Sequence, residues 1–164
     1  MRAAYPLAAL AALAGCARVA TRPAATEGAS VYTVGALSFE APTAWQATGD
    51  ERHVKIVAPG DDATIEASAH ADAGSEAECL SGAEAALDRG AAGLSAVQRH
   101  PSTLAGRKAV EQEADRGGWH GWAWATCDGG VQYRLWFAGR SPLSREMLDA
   151  QKRLVGSAQI GGSR

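Results

Sequence analysis

Residues 119–138, WHGWAWATCDGGVQYRLWFA, carry the clearest structural pattern in this chain. Each half carries large apolar residues at alternate positions, a pattern typical of strands whose two faces meet different surroundings; they are Trp122 and Trp124 in the first half and Tyr133, Leu135 and Phe137 in the second. Gly129-Gly130 lies between the halves, where a tight turn needs residues that adopt positive φ without strain. The sequence therefore predicts a β-hairpin with strands at 119–127 and 131–138.

The length of the turn decides which side chains share a face, because a shift of one residue moves a whole strand's side chains to the other face. A two-residue turn places Trp122 and Trp124 beside an apolar row as a plain aromatic core, the row being Tyr133, Leu135 and Phe137. A three-residue loop at 128–130 instead places Cys127 on that apolar face, where it suits a disulfide to the first helix.

In the three-residue register, the other face presents a mixed aromatic and polar groove that could stack on a sugar, peptide or lipid group. Beside Gln132, the candidate ligand contacts of this groove are His120, Trp122, Trp124, Arg134 and Trp136. The alternative is that the second helix covers these indoles, since folds of this class bury both sheet faces. The sequence leaves the two registers open.

Outward from the hairpin, the pattern predicts further strands at 32–41 (in one or two pieces), 53–58, 63–70, 94–100, 107–114 and 157–160. Ser75 followed by Glu78 is a capping box before residues at helical spacing, which predicts a first helix over 76–89. Ser141-Pro142 is predicted to start a second helix that Gly156 ends. This order indicates an α+β domain, with two main helices packed on a single antiparallel sheet of about six to seven strands.

The N-terminus carries Leu13-Ala14-Gly15-Cys16 behind a positive charge and a short apolar run. This pattern resembles the cleavage site of bacterial lipoproteins. The resemblance implies a signal peptide over 1–15, a lipidated Cys16 with a flexible tether over 16–30, and one domain over 31–164. Membrane lipid would then be a partner through the acylated cysteine. The alternative is an ordinary secreted protein whose leader contains Cys16 by chance.

Ala17, the residue after the lipidated cysteine, bears on the membrane in which the anchor sits. It is not the aspartate that usually retains lipoproteins at the inner membrane. The resemblance therefore favours a lipid anchor in the outer membrane, facing the periplasm.

Cys79 and Cys127 remain as an even pair once Cys16 is assigned to lipid. An oxidising compartment favours a disulfide between them, and two buried free thiols are the alternative. No metal site is expected, because the pair lacks CxxC partners and the four histidines show no HxxxH or HxH spacing. No cofactor is predicted.

Four short motifs together resemble the PsbP-like and DcrB-like fold group. They are Phe39-x-x-Pro42-x-x-Trp45, Leu104-Ala105-Gly106-Arg107, Tyr133-x-Leu135-x-Phe137 and Leu154-Val155-Gly156-Ser157. The resemblance covers most of the domain and implies a fold rather than an activity, because each motif has a structural reason.

The charge balance and the motifs that are missing exclude several functions. The chain of 164 residues has 16 Lys+Arg and 18 Asp+Glu with no basic run, so nucleic acid is not an expected partner. It contains no GxSxG, HExxH, P-loop or GxGxxG motif, so no catalytic residue is assigned and an enzyme is not expected.

The leading interpretation is a non-enzymatic interaction or accessory module that binds an unidentified protein partner of the cell envelope. Two alternatives stay open. One is a small-ligand or glycan-binding module that uses the tryptophan-rich sheet face. The other is an immunity-type inhibitor that neutralises a toxin in the periplasm.

Overall fold

The computed structural model describes residues 21–24, 26–72 and 74–161. Within these residues the chain forms eleven strands and two helices. In chain order they are β1 (Thr21–Pro23), β2 (Ala29–Val34), β3 (Leu37–Pro42), β4 (Gln46–Gly49), β5 (His53–Val57), β6 (Ala63–Ala71), α1 (Glu76–Gly90), β7 (Ser95–Leu104), β8 (Arg107–Arg116), β9 (Trp119–Asp128), β10 (Val131–Arg140), α2 (Arg145–Ser157) and β11 (Gln159–Ile160).

The strands form two antiparallel sheets, so the α+β class is as predicted, and the predicted single sheet of about six to seven strands is matched only in part, because a second sheet accompanies it. The main sheet has seven strands in the order β4-β5-β6-β10-β9-β8-β7, and the small sheet has four in the order β1-β2-β3-β11. The β2–β3 hairpin packs face to face against the main sheet, because its alternate side chains are apolar and are covered by that sheet. Those buried side chains are Tyr32, Val34, Leu37, Phe39 and Ala41.

The face of the main sheet that meets the small sheet is here called the inner face. Ile65, Trp124, Leu135 and Phe137 project from it into one hydrophobic core that both sheets share. Trp45 closes this core from the turn between β3 and β4, with its ring centroid 6.5 Å from that of Phe137.

Helix α1 packs on the opposite face of the main sheet, here called the outer face. Its buried residues Ala83 and Leu87 contact Val110 and Ala125. The capping box that predicts the start of this helix is present in the structure. Ser75 Oγ accepts a hydrogen bond from the Glu78 N–H, and Glu78 Oε2 accepts one from the Ser75 N–H. The Ser75 N–H and the Ser75 hydroxyl group both donate hydrogen bonds to Glu78 Oε2, and they hold the pKa of Glu78 below its ordinary value.

Helix α2 packs against β3 and contributes Met147, Ala150 and Leu154 to the shared core. It begins at Arg145, and the predicted start at Ser141-Pro142 is therefore wrong. The physical reason is the cap, because Ser144 Oγ accepts a hydrogen bond from the Met147 N–H and supplies a partner to the first turn.

The predicted N-terminal features fall partly outside the described residues. Cys16, the signal peptide and the start of the tether lie there. The rest of the tether prediction needs correction, because Thr21–Pro23 pairs with β2 and β2 itself begins at Ala29. In the part of the chain that the structure describes, neither helix has the length and apolar composition that a membrane crossing requires.

Candidate functional site

The turn at Gly129-Gly130 decides the register of the central hairpin. Asp128 lies directly opposite Val131, so the loop has two residues. Gly129 has φ 57° and Gly130 has φ 76°, which are the signs that a type I′ hairpin turn requires at both central positions. The structure therefore selects the two-residue register.

Trp122 and Trp124 consequently lie on the inner face. Trp124 pairs with Leu135 and is 2% exposed. Trp122 pairs with Phe137, and their ring centroids are 6.2 Å apart at the margin of the core. These two indoles are core residues, as the two-residue alternative predicts.

His120 lies on the inner-face side of β9 at the end of the sheet. Its Nδ1 is 2.7 Å from Asp115 Oδ1, and its Nε2 is 3.1 Å from Glu113 Oε1. The ring packs edge-on against Trp122 with centroids 4.4 Å apart. Each ring nitrogen therefore faces a different carboxylate of β8.

Arg134 and Trp136 lie on the outer face, opposite Ala125 and Ala123 of β9. The five candidate residues of the sequence analysis therefore do not share a face. The physical reason is the two-residue turn, which places odd-numbered residues of β10 opposite even-numbered residues of β9. His120, Trp122 and Trp124 therefore share a face with the odd-numbered residues of β10, whereas Arg134 and Trp136 lie on the other face.

Cys127 also lies on the outer face, where it forms a disulfide with Cys79 in the first turns of α1. The three-residue loop was predicted to suit this disulfide, but the bond forms in the two-residue register. The reason is that α1 packs on the outer face, which is the face that Cys127 occupies when the turn has two residues. Gln132 Nε2 reinforces the junction by donating a hydrogen bond to the Cys79 carbonyl oxygen at 3.3 Å.

Helix α1 covers only one end of the outer face, and the remainder forms a groove of about 780 Å3. One wall is formed by the end of α1 and the turn that follows it, through Leu87, Gly90 and Leu94. Trp119 and Trp136 supply aromatic surface. The floor consists of small residues from three adjacent strands, namely Ala114, Gly121, Ala123 and Ala138.

Gly121 allows the Trp136 indole to lie close to this floor. A Cβ atom at Gly121 would stand 3.2 Å from Trp136 Nε1 and 2.8 Å from the Phe137 carbonyl oxygen. Any larger residue would push the indole or the neighbouring strand away. The flat, shallow floor thus depends on a position without a side chain.

The groove is cationic although the chain as a whole has a formal net charge of -2. Its lining includes Lys55, Arg116 and Arg134 but only one carboxylate, Glu66. Lys55 Nζ lies 3.4 Å from Glu66 Oε1, so this carboxylate already has a cationic neighbour. Burial, and to a smaller degree the charge of Arg89, lowers the pKa of the Arg134 guanidinium from its ordinary value.

This arrangement can bind a ligand through apolar contact, aromatic stacking and attraction of negative charge. Among residues 21–24, 26–72 and 74–161, no three His, Cys, Asp or Glu side chains are grouped so that they could hold a metal ion. The small-residue floor, the indoles and the cationic side chains give the groove the lining of a binding site for an organic molecule.

Sequence reasoning missed Trp119 and the small floor residues as members of this site. The available signal was the Gly129-Gly130 pair, because the two-residue register aligns Trp136 with Ala123 and places Ala138 opposite Gly121. Small residues opposite an exposed tryptophan would then have indicated an open floor.

Comparisons with known proteins identify the fold. No protein family model matches the chain, and no curated protein sequence matches it. Several solved structures are similar, among them the following three. The cyanobacterial PsbP protein CyanoP of Synechocystis has a TM-score of 0.57 and 10% identity, over 83% of this chain and 94% of that one. LpqN of Mycobacterium tuberculosis, involved in cell envelope biogenesis, has a TM-score of 0.55 and 16% identity, over 87% and 90%.

A Bacteroides thetaiotaomicron protein has a TM-score of 0.54 and 12% identity, over 80% of this chain. The chain spans about half the length (47%) of that protein. At these identities the likenesses concern the fold alone. They agree with the resemblance that the four sequence motifs carry, and the chain has a fold similar to that of PsbP.

Proposed function

We propose that this protein is a non-enzymatic lipoprotein of the cell envelope that holds an apolar small molecule or lipid in the outer-face groove. The observation that carries the proposal is the groove itself, an open apolar cleft beside a half-exposed tryptophan. Its volume of about 780 Å3 lies within the range of small-molecule sites, roughly 300–1,000 Å3.

The exposure of Trp136 supports a ligand at this place. The large apolar side chains exposed in the described residues are Val97, Trp136 and Leu148. Of these, Trp136 is 43% exposed and alone lines the groove, whereas Leu148 lies on α2. An indole left open in a concave apolar surface gains contact area when a ligand covers it.

A concave groove suits a small molecule better than the flat contact of a protein partner, so ligand binding replaces partner binding as the leading function. The envelope setting rests on the lipoprotein pattern around Cys16. The envelope role stated for LpqN, which shares the fold, is consistent with it.

Titration with the neutral dye N-phenyl-1-naphthylamine tests the groove. We expect dye emission to rise on binding to the unmodified protein, and Trp136→Ala to weaken dye affinity about tenfold, because it removes a stacking partner that contributes on the order of 1.5 kcal/mol. Leu148→Ala is the matched control, since it removes an exposed apolar side chain elsewhere and should leave affinity unchanged. No dye binding to any of the three proteins would reject the proposal.

Fractionation of cells tests the anchor. We expect the unmodified protein to sediment with outer-membrane fractions, because two or more acyl chains anchor a protein firmly. Cys16→Ser should appear in the soluble fraction, because it lacks the thiol to which lipid is attached. Retention of Cys16→Ser in the membrane would contradict lipid anchoring. Sedimentation of the unmodified protein with inner membranes would contradict only the proposed outer-membrane location.

A further inference from the structure

We infer that the ligand of the groove is a single-chain amphiphile with an anionic head group, bound with its head at Arg134 and its chain across the small-residue floor towards Trp119. This inference rests on the proposed function and names the ligand class of the same site. It is carried by the position of one arginine, the charge of the groove lining and the shape of the floor.

Arg134 is a partly buried cation without an anionic partner among the described residues. Its Nε donates a hydrogen bond to Gln132 Oε1 at 2.7 Å, which fixes the side chain against the sheet. None of the ion pairs in residues 21–24, 26–72 and 74–161 involves this guanidinium. A partly buried charge is costly unless it is paired, so an anion at this position would be stabilised.

The other charges of the groove do not supply that anion. Glu66 interacts with Lys55 at 3.4 Å and faces His53 at 3.9 Å on the adjacent strand. Asp88 of α1 pairs with Arg99 at the opposite margin of the sheet. Arg89 adds further positive charge near Arg134. A ligand with a negative head group therefore complements this end of the groove.

The floor runs from this charged end along the paired strands β9 and β10. Beyond Arg134, alternate outer-face residues of β10 are Trp136, Ala138 and Arg140, and the last pairs with Trp119. Six residues of extended strand cover roughly 20 Å. A molecule that lies along this path has one end at Arg134, passes over alanine and glycine residues, and has its other end at the Trp119 indole. The guanidinium carbon of Arg140 lies 5.7 Å from the centroid of that indole ring.

The chemistry of the floor favours an acyl chain over a sugar. Sugar hydroxyl groups need hydrogen-bonding partners, and the side chains of Ala114, Gly121, Ala123 and Ala138 provide none. Methylene groups gain from the same surface, because apolar area leaves water on contact. An anionic sugar would satisfy Arg134 but would leave its hydroxyl groups unpaired over this floor.

The head-group preference is tested by calorimetric titration of the full chain carrying Cys16→Ser, purified without detergent, with dodecanoate and with dodecyltrimethylammonium below their micelle concentrations. We expect Kd for dodecanoate to be lower by about tenfold or more, because only the anion can accept a charge-assisted hydrogen bond from Arg134. Decanoate should bind more weakly than dodecanoate, by up to about fourfold for each methylene removed.

Two variants test the orientation. Arg134→Met keeps the apolar part of the side chain and should raise Kd for dodecanoate about tenfold or more, and should raise Kd for the neutral dye much less, because the dye has no charge to pair with the guanidinium. Arg116→Met removes the arginine at the other end of the lining and should raise Kd less than Arg134→Met does. Arg145→Met is the matched control, because this exposed arginine lies on α2 outside the groove, and it should change Kd by less than about twofold. Circular dichroism establishes that each variant is folded.

Equal affinity for the two head groups would overturn the inference, and this comparison uses the unmodified groove, so it decides even if Arg134→Met does not fold. A loss in Arg116→Met that equals the loss in Arg134→Met would overturn the orientation. If dodecanoate does not bind but the neutral dye does, the ligand class is wrong and the proposed function stands. If neither binds, the proposed function fails as well.

Discussion

Trp124→Ala is expected to lower the free energy of unfolding by about 3 to 5 kcal/mol, whereas Trp136→Ala should change it by less than about 0.5 kcal/mol. The two residues lie on neighbouring strands of the same hairpin, but Trp124 is 2% exposed in the shared core and Trp136 is 43% exposed in the groove. Truncation of the first leaves a cavity lined by packed side chains. Truncation of the second removes a side chain that is already half in water.

Urea unfolding followed by far-ultraviolet circular dichroism measures this difference without relying on tryptophan emission. The pair of variants is its own matched control, because both make the same chemical change. A larger loss of stability for Trp136→Ala than for Trp124→Ala would mean that the face carrying Trp136 is the buried one. Similar losses for the two variants would indicate the three-residue register, which puts both indoles on one face.

Loss of the disulfide between Cys79 and Cys127 is the second large effect that we expect. The bond closes a loop between residues 48 positions apart, so its absence should lower the free energy of unfolding by about 4 kcal/mol on the chain-entropy account. The double variant Cys79→Ala/Cys127→Ala and the reduced unmodified protein should both unfold at lower urea concentration than the oxidised protein. The bond also holds the start of α1 on the outer face beside the groove.

Reductant supplies the control for this prediction. It should shift the unfolding midpoint of the unmodified protein but leave that of the double variant in place, because the variant has no bond between these positions to break. An unfolding midpoint that does not move when the unmodified protein is reduced would show that this cross-link contributes nothing to stability.

Elements governed by neighbouring residues could be predicted closely from the sequence. Ser75 and Glu78 satisfy each other's backbone groups, so α1 begins where the capping box places it. The strands of the central hairpin extend only one or two residues beyond the predicted ends, because their alternation is a local property. The disulfide partners could be named from compartment and cysteine count.

Elements that depend on a distant partner could not be predicted. Strand β1 exists because Thr21–Pro23 finds the edge of β2, and nothing in its own three residues marks it as a strand. The start of α2 depends on whether Ser141 or Ser144 caps the helix, and Ser144 does so. The second sheet arises because the apolar side of β2–β3 covers the inner face, which is a matter of packing between elements.

The candidate site shows the same division. Local patterns were enough to predict a tryptophan-rich hairpin in an α+β domain and a pairing of Cys79 with Cys127. They did not indicate which indoles are core and which line a groove, because that depends on packing between elements that are far apart in the chain. A strand's two faces are equivalent until its register and the elements packed on each side are set, and those come from contacts between residues far apart in the chain.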